Sequence, residues 1–219
     1  MKRVLIGTPA HDGRVDVWYC NSLIYSLIAA QQAEIVLVPV YMAYDSLVQR
    51  ARNDLVRLAL EEGFDELVFI DGDQEWDPAW LVNLINRKED VVGLPVVKKS
   101  DIPAFNVKVR RGHLEVGENG LLEVAGVGTG FLKISRNALQ AVWDASSEYT
   151  NEGRTCRMVF DVQVIDGELV SEDNVFCRKW AETGGKVYVD PSVTCNHIGV
   201  KKYGGSFKGY LDYVAGLGD

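Results

Sequence analysis

Apolar positions in the first half of the chain follow two alternating rhythms. Short runs (Val4 to Gly7, Ile35 to Val40, Leu67 to Ile70 and Val91 to Leu94) are bounded by turn residues, as buried strands are. Between them, apolar residues recur every three or four positions. Val17 to Gln32 puts Leu23, Leu27 and Ala30 on one helical face. Leu47, Ala51, Leu55, Leu58 and Ala59 define a second helix, capped by Asp45 or Ser46 and stopped by Gly63. Asp77 as cap, with Pro78 in the first turn, starts a third helix that runs to about Asn86.

The second half is patterned differently. Asn106 to Arg110, His113 to Val116 and Leu121 to Ala125 read as short strands of a meander with glycine-containing turns. Phe131 to Ile134 is a further apolar strand, and Ser135 caps a helix through about Ala145. Ser147 to Arg157 reads as a polar loop. Ser171 begins a helix that ends near Gly184-Gly185, and strands Lys186 to Val189 and Val193 to Cys195 flank the turn Asp190-Pro191.

The β–α alternation predicts an α/β fold: a single Rossmann-type domain with a mainly parallel central sheet flanked by helices, and a smaller β-rich second half. Residues 1–95 would form the alternating half, 96–199 the β-rich half, and the glycine-rich 200–219 a flexible tail. In such sheets ligands gather beyond the carboxyl ends of the strands. Thr8, Asp71 and Leu94-Pro95 all lie there.

Composition narrows the picture. The chain has 219 residues, 47% of them hydrophobic, enough for a substantial core. No apolar stretch reaches the roughly 18 residues of a membrane span, and the opening apolar run is too short for a secretory signal. A cytoplasmic protein with no membrane span is expected. The four cysteines (Cys20, Cys156, Cys177, Cys195) show neither a CxxC pair nor zinc-ligand spacing, so reduced thiols are expected. A net charge of −8 argues against a large nucleic-acid footprint, although Lys98-Lys99, Lys108 to Arg111 and Lys201-Lys202 gather basic charge locally.

Candidate chemistry begins at Asp71-Gly72-Asp73, directly after an apolar strand. Residues two apart in extended backbone project to one side, and the glycine between them lets a ligand approach. Converging carboxylates repel unless a cation joins them, and a hard divalent ion suits oxygen ligands. The plain alternative is a tight turn, but the acidity continues through Glu75 and Asp77 beyond what a turn requires. Ser171-Glu172-Asp173 reads first as a helix cap with acidic residues complementing the dipole; a carboxylate there serves as general base only if it faces a pocket. His197 is a metal ligand only if the fold brings it to Asp73. Gly126, Gly128 and Gly130 around Thr129 form either a bulge or a loop against a ligand. Arg52-Asn53 is either a solvated helix face or a polar pair leaning towards a nucleotide, and Lys201-Lys202-Tyr203 either a solvated tail or a clamp on a diphosphate.

In order and spacing these motifs resemble the GT-A-fold glycosyltransferases over nearly the whole chain. The resemblance runs through Thr8-Pro9, Ala51-Arg52-Asn53, Phe69-Ile70-Asp71-Gly72-Asp73 as a DxD motif and Gly128-Thr129-Gly130. It continues through Ser171-Glu172-Asp173 as an xED motif and Val189-Asp190-Pro191 to His197-Ile198-Gly199. It implies a GT-A-like domain, with 1–95 as its nucleotide-binding half and 96–199 as its acceptor and catalytic half, that transfers a sugar from a nucleoside-diphosphate sugar, UDP by default, to a hydroxyl. The acceptor would be a glycan, a small molecule or a hydroxylated DNA base. Thr8, Pro9, Arg52, Asn53, Asp71, Gly72, Asp73, Gly128, Thr129, Gly130 and Lys202 would bind the donor. Asp71, Asp73 and His197 would hold Mn²⁺ or Mg²⁺, and Asp173, with Glu172 beside it, would be the base of an inverting enzyme. A nucleotidyltransferase ranks lower, because the loop after the first strand offers only Gly13 and Arg14. A nucleotide-sugar-binding module without catalysis is the non-enzymatic alternative.

Overall fold

Side-chain alternation along the strands separates two apolar layers. In the first strand Leu5 faces one layer while Val4 and Ile6 face the other, and Leu67 and Phe69 oppose Val68 and Ile70 in the same way. The computed structural model describes residues 1–102, 104–110 and 114–216. The first half reads β1 (Lys2–Ala10), α1 (Val17–Gln32), β2 (Ile35–Ala43), α2 (Val48–Glu61), β3 (Glu66–Ile70), β4 (Gln74–Glu75), α3 (Pro78–Ile85) and β5 (Val91–Gly93). The second half adds β6 (Val107–Lys108), β7 (Leu122–Val124), β8 (Gly126–Val127), β9 (Phe131–Ser135) and α4 (Arg136–Ala145). Two hairpins follow, β10 (Glu148–Asn151) with β11 (Arg154–Arg157), and β12 (Gln163–Ile165) with β13 (Glu168–Val170). The chain then runs through α5 (Glu172–Glu182), β14 (Val187–Val189), β15 (Asn196–Ile198), β16 (Lys202–Tyr203) and α6 (Phe207–Gly216).

Seven strands form the central sheet in the order β2-β1-β3-β9-β5-β14-β7. β1, β2, β3, β5 and β14 run one way, and β9 and β7 run against them. The expected mainly parallel α/β sheet, flanked by helices and joined by smaller β-rich elements, is therefore present. α1 and α3 pack on the layer of Val4, Ile6, Val68 and Ile70, while α2, α4 and α5 pack on the layer of Leu5, Leu67 and Phe69.

The reversed strand β9 matters most for the site. Lying antiparallel between β3 and β5, it begins where β3 ends, with Phe131 opposite Ile70. The Gly128-Thr129-Gly130 loop is thereby set against the end of the aspartate-bearing strand.

Several local expectations need correcting. α2 starts at Val48 with Leu47 as its cap and no capping side chain; Asp45 instead accepts the Leu47 N–H at 2.9 Å and pairs with Arg50. The polar segment 147–157 is a hairpin rather than a loop. Among the described residues the predicted meander is reduced to an antiparallel bridge between Val116 and Leu122: β7 joins the edge of the main sheet, while β6 pairs with β8. His113, where one of its strands was expected to begin, and Arg111 of the basic cluster lie outside the described residues. The expected strand from Val193 to Cys195 is displaced to Asn196–Ile198. In the stretch read as a flexible tail, Phe207–Gly216 is helical, and Phe207 and Leu211 are buried in the core; residues 217–219 lie outside the described residues. All four cysteines are free. Among the described residues no helix is long and apolar enough to cross a membrane.

Candidate functional site

A cleft of about 570 Å³ opens beyond the carboxyl ends of β1, β2 and β3, within the usual range for small-molecule sites. Pro9 to Asp12 and Arg14 to Asp16 form one wall, Asp45, Ser46 and Val48 another, and Arg52, Asp71, Gly72 and Asp73 the floor. Strand-end position supplies this geometry, because each strand delivers its next loop to the same edge of the sheet.

Arg52 is the centre of the polar network. Its buried guanidinium reaches Asp71 Oδ1 at 3.2 Å through Nη2 and makes a short ion pair with Glu172 through Nη1. One side chain on α2 therefore joins the aspartate motif to the start of α5, 120 positions further along the chain. Its Nε is buried without a hydrogen-bond partner.

Asp73 and His197 meet through backbone pairing. β15 is antiparallel to β4, with His197 opposite Gln74, and the Ile198 N–H donates to the Asp73 carbonyl at 2.8 Å. His197 Nε2 lies 3.2 Å from Asp73 Oδ2. Its Nδ1 is 2.9 Å from the Val97 carbonyl, which can only accept, so Nδ1 carries a proton. Nε2 then faces the carboxylate either as the second N–H of an imidazolium or with a lone pair that a cation would share. Lys99 Nζ contacts the same Oδ2 at 2.6 Å. Burial pushes the Asp73 carboxyl up, but His197 and Lys99 outweigh it and hold the group well below the usual carboxylate range.

Among the described residues no group of three or more His, Cys, Asp and Glu is arranged to hold a metal ion. Asp73 and His197 nevertheless form a two-ligand corner of oxygen and nitrogen, with the imidazole oriented by a backbone carbonyl as metal-ligating histidines are. Mg²⁺ and ions like it take one or two carboxylates and complete their shell with water and substrate phosphates, so the corner fits such an ion. Asp71 pairs with Arg52 through Oδ1 and lines the cleft floor beside this corner.

At the start of α5, Asp173 is buried. Its Oδ1 accepts from Ser171 Oγ, from the Asn174 N–H at 2.7 Å and from Asn174 Nδ2 at 3.0 Å. Its Oδ2 has only Asn106 Nδ2, at 3.5 Å. One carboxylate oxygen is saturated, and the other has a single long contact among the described residues. Ser171, predicted to cap the helix, spends its hydroxyl on Asp173 rather than on a backbone N–H.

The glycine loop spans the gap between the two acidic motifs. The Asp71 N–H donates to the Gly130 carbonyl at 3.1 Å, and a Cβ at Gly130 would stand 3.5 Å from Asp71 Oδ2. At Gly128 a Cβ would fall 1.9 Å from Asn106 Nδ2, so only glycine fits beside the amide that contacts Asp173. Thr129 is buried.

Three expected donor residues face elsewhere. Thr8 is buried behind the cleft, its hydroxyl 2.6 Å from that of Tyr19. Asn53 is buried and clamps the backbone of Phe160 through both amide atoms, at 3.0 and 2.7 Å. Lys202 pairs with Glu75 at 2.7 Å and lies 4.4 Å from the Trp18 ring centroid. Residues that sequence reasoning did not place at the site are Lys99 and the wall formed by Asp12, Arg14 and Asp45. Their signal, a turn-rich segment after β1 and a basic pair after β5, was visible without a partner to give it meaning.

No protein-family model matches the chain, and no curated protein does. Among solved structures, A197 from STIV is similar at 20% identity with a TM-score of 0.54, over 90% of this chain and 86% of that one. TarS 1-349 from S. aureus aligns at 12% identity and TM-score 0.45, over 99% and 65% of the two chains. A glycosyltransferase involved in glycosylation of the major capsid of PBCV-1 aligns at 10% identity and TM-score 0.36, over 66% of each.

Proposed function

We propose that this chain is a metal-dependent glycosyltransferase that moves a sugar from a nucleoside-diphosphate sugar to an acceptor hydroxyl with inversion. The observation that carries the reading is convergence: Arg52 ties Asp71 to Glu172, and His197 meets Asp73, at the edge of the sheet where the cleft opens. A turn and a capped helix, each serving only its own backbone, would not need to meet.

The nucleoside occupies the cleft between Pro9–Arg14 and Asp45–Val48, and its diphosphate lies towards Gly72 and Asp73. Asp73 and His197 hold the divalent ion. When bound, that ion supplies Lewis-acid stabilisation of the charge gathering on the departing diphosphate. Lys99 adds a positive charge beside the same oxygens. The donor sugar borders the Gly128–Gly130 loop. As the acceptor oxygen bonds to the anomeric carbon, the bond from that carbon to the diphosphate breaks, and Asp173 Oδ2 takes the hydroxyl proton. Inversion requires attack from the face opposite the leaving group. Asp173 lies outside the residues lining the cleft, so in this reading the acceptor reaches its Oδ2 past the Gly128–Gly130 loop rather than through the donor cleft. In this reading Glu172 holds Arg52 rather than moving a proton.

The test is a thermal-shift series with UDP, GDP and dTDP, each with and without Mn²⁺. One nucleotide is expected to raise the melting temperature in a metal-dependent way, and Asp73→Asn to lose the rise. No shift with any of the three would remove the donor site. Asp173→Asn is expected to keep nucleotide binding and lose transfer. Pyrophosphate release from nucleoside triphosphates would identify a nucleotidyltransferase instead.

A further inference from the structure

Helix α1 is apolar on both faces. Over its 16 residues, Val17–Gln32, there is no charged side chain. Its inward face buries Tyr19, Leu23 and Ala30 in the core together with Ser22 and Ser26, and the two serines serve Trp76: Ser22 Oγ donates to the Trp76 carbonyl at 2.9 Å, and the indole N–H donates to Ser26 Oγ at 2.9 Å. Its outward face carries Val17 at 64% exposure, Ile24 at 54%, Tyr25 at 61% and Ile28 at 52%. Those positions recur at helical spacing, so they form one continuous apolar stripe, with Asn21 its polar member. A surface helix normally carries polar or charged residues on its outward face.

The neighbouring element shares the property. β2 follows α1 directly and is an edge strand of the central sheet, and Tyr41 at its far end is exposed. Long edge strands are commonly blunted with charge; Ile35–Ala43 contains none and has Pro39 as its single interruption.

We propose that the α1 stripe is the contact surface for a second copy of this chain, in a two-fold pair with α1 packed against α1. Two observations select this occupant. The first is charge. Two copies of a chain at −8 repel unless they meet through a neutral face, and α1 supplies one. A helix lying on an anionic lipid surface would carry Lys and Arg along its polar side, which α1 lacks. The second is area. The exposed parts of Val17, Trp18, Ile24, Tyr25 and Ile28 amount to about 500–600 Å² per copy, so a symmetric pair buries about 1,000–1,200 Å², near the lower bound for a specific interface. Antiparallel crossing places the Val17 end of one helix by the Ile28 end of the other. The uncharged stripe is complementary to itself.

Sedimentation velocity between 1 and 100 µM tests this. The expected result is a concentration-dependent species of twice the 24.3 kDa chain mass. Ile24→Glu puts a charge on the stripe of both copies and is expected to weaken dimerisation about 100-fold or more. Ile24 is exposed, so an unchanged melting curve will show that the variant folds. Asn21→Cys, near the two-fold axis, is expected to give a disulfide-linked dimer on mild oxidation. A mass of 24.3 kDa at 100 µM overturns the proposal, as does a dimer indifferent to Ile24→Glu. Monomers that float with neutral phosphatidylcholine vesicles would assign the stripe to lipid instead.

Discussion

Replacing Arg52 with methionine removes the one side chain that joins the aspartate motif to α5, and its cost can be worked from burial. The guanidinium and Glu172 are largely withdrawn from water, the Glu172 side chain being 16% exposed, whereas Asp71 keeps 35%. Stranding one partner of a buried pair costs about 3–5 kcal/mol. The Asp71 arm is discounted to about 1 kcal/mol or less, since water resolvates a carboxylate that open. The buried Nε without a partner already offsets part of the gain. A net loss of about 2–4 kcal/mol remains. For a chain of this length each kcal/mol moves the melting temperature by about 2–4 °C, so Arg52→Met should melt about 5–15 °C lower by calorimetry. Adding Glu172→Gln neutralises the stranded carboxylate and should recover about half of the fall. Arg52→Lys should land between the two, because one ammonium cannot fork to both acids. A fall below about 2 °C, or no recovery with Glu172→Gln, would refute the bridging role.

Asn53→Ala removes both bonds to the Phe160 backbone and leaves buried groups unpaired, at about 2–4 kcal/mol in urea unfolding; an unchanged midpoint would mean that the clamp is not made in solution. Burial pushes the Cys177 thiol up to about 12, and Cys156 and Cys195 are also buried, so Ellman's reagent at pH 8 should label no more than Cys20 quickly in the native protein and all four thiols in denaturant. The carboxyl of Asp73 is held low by His197 and Lys99, so its stabilising effect is complete above the unfolded value of about 3.9 and lost as pH falls below it. The stability deficit of Asp73→Asn should therefore shrink as pH drops from 5 towards 2.5, and a deficit that stays constant would contradict that ordering.

What the sequence showed depended on whether an element has one distinct face. The helix predicted over Val17 to Gln32 has those bounds, and the Asp71 strand end was legible because a buried run stops there. The hairpins were harder. Glu152-Gly153 and Asp166-Gly167 both take positive φ at both turn residues, the arrangement of a two-residue hairpin. Asp166-Gly167 carried that signal openly in the sequence. It was obscured because the flanking strands are three residues each, too short for alternation to stand out, and their apolar pair Val164 and Leu169 faces solvent. Thr8 and Asn53 illustrate another limit. Position beside a cleft does not tell which way a side chain turns: Pro9 lines the wall while its neighbour Thr8 points into the core. Lys99 was invisible as a site residue because its partner is brought to it by strand pairing between segments far apart in sequence.

That pairing also determines which substitutions report on chemistry. Asp71, Asp73 and His197 are held by main-chain bonds: Asp71 to Gly130, and the Asp73 carbonyl to the Ile198 N–H. Asp73→Asn changes charge but leaves those bonds in place, so its effect on metal or nucleotide binding can be read directly. Asp173 differs, since its own Oδ1 accepts from the first turn of α5, yet asparagine there keeps an acceptor oxygen for those donors. Arg52 has no such backbone insurance, for its link between the motifs is made by its side chain. Loss of activity in an Arg52 variant therefore mixes a frame effect with a chemical one, whereas loss in Asp173→Asn at unchanged melting temperature isolates the chemistry, and loss in Asp73→Asn does so once its own ligand-free stability deficit is subtracted.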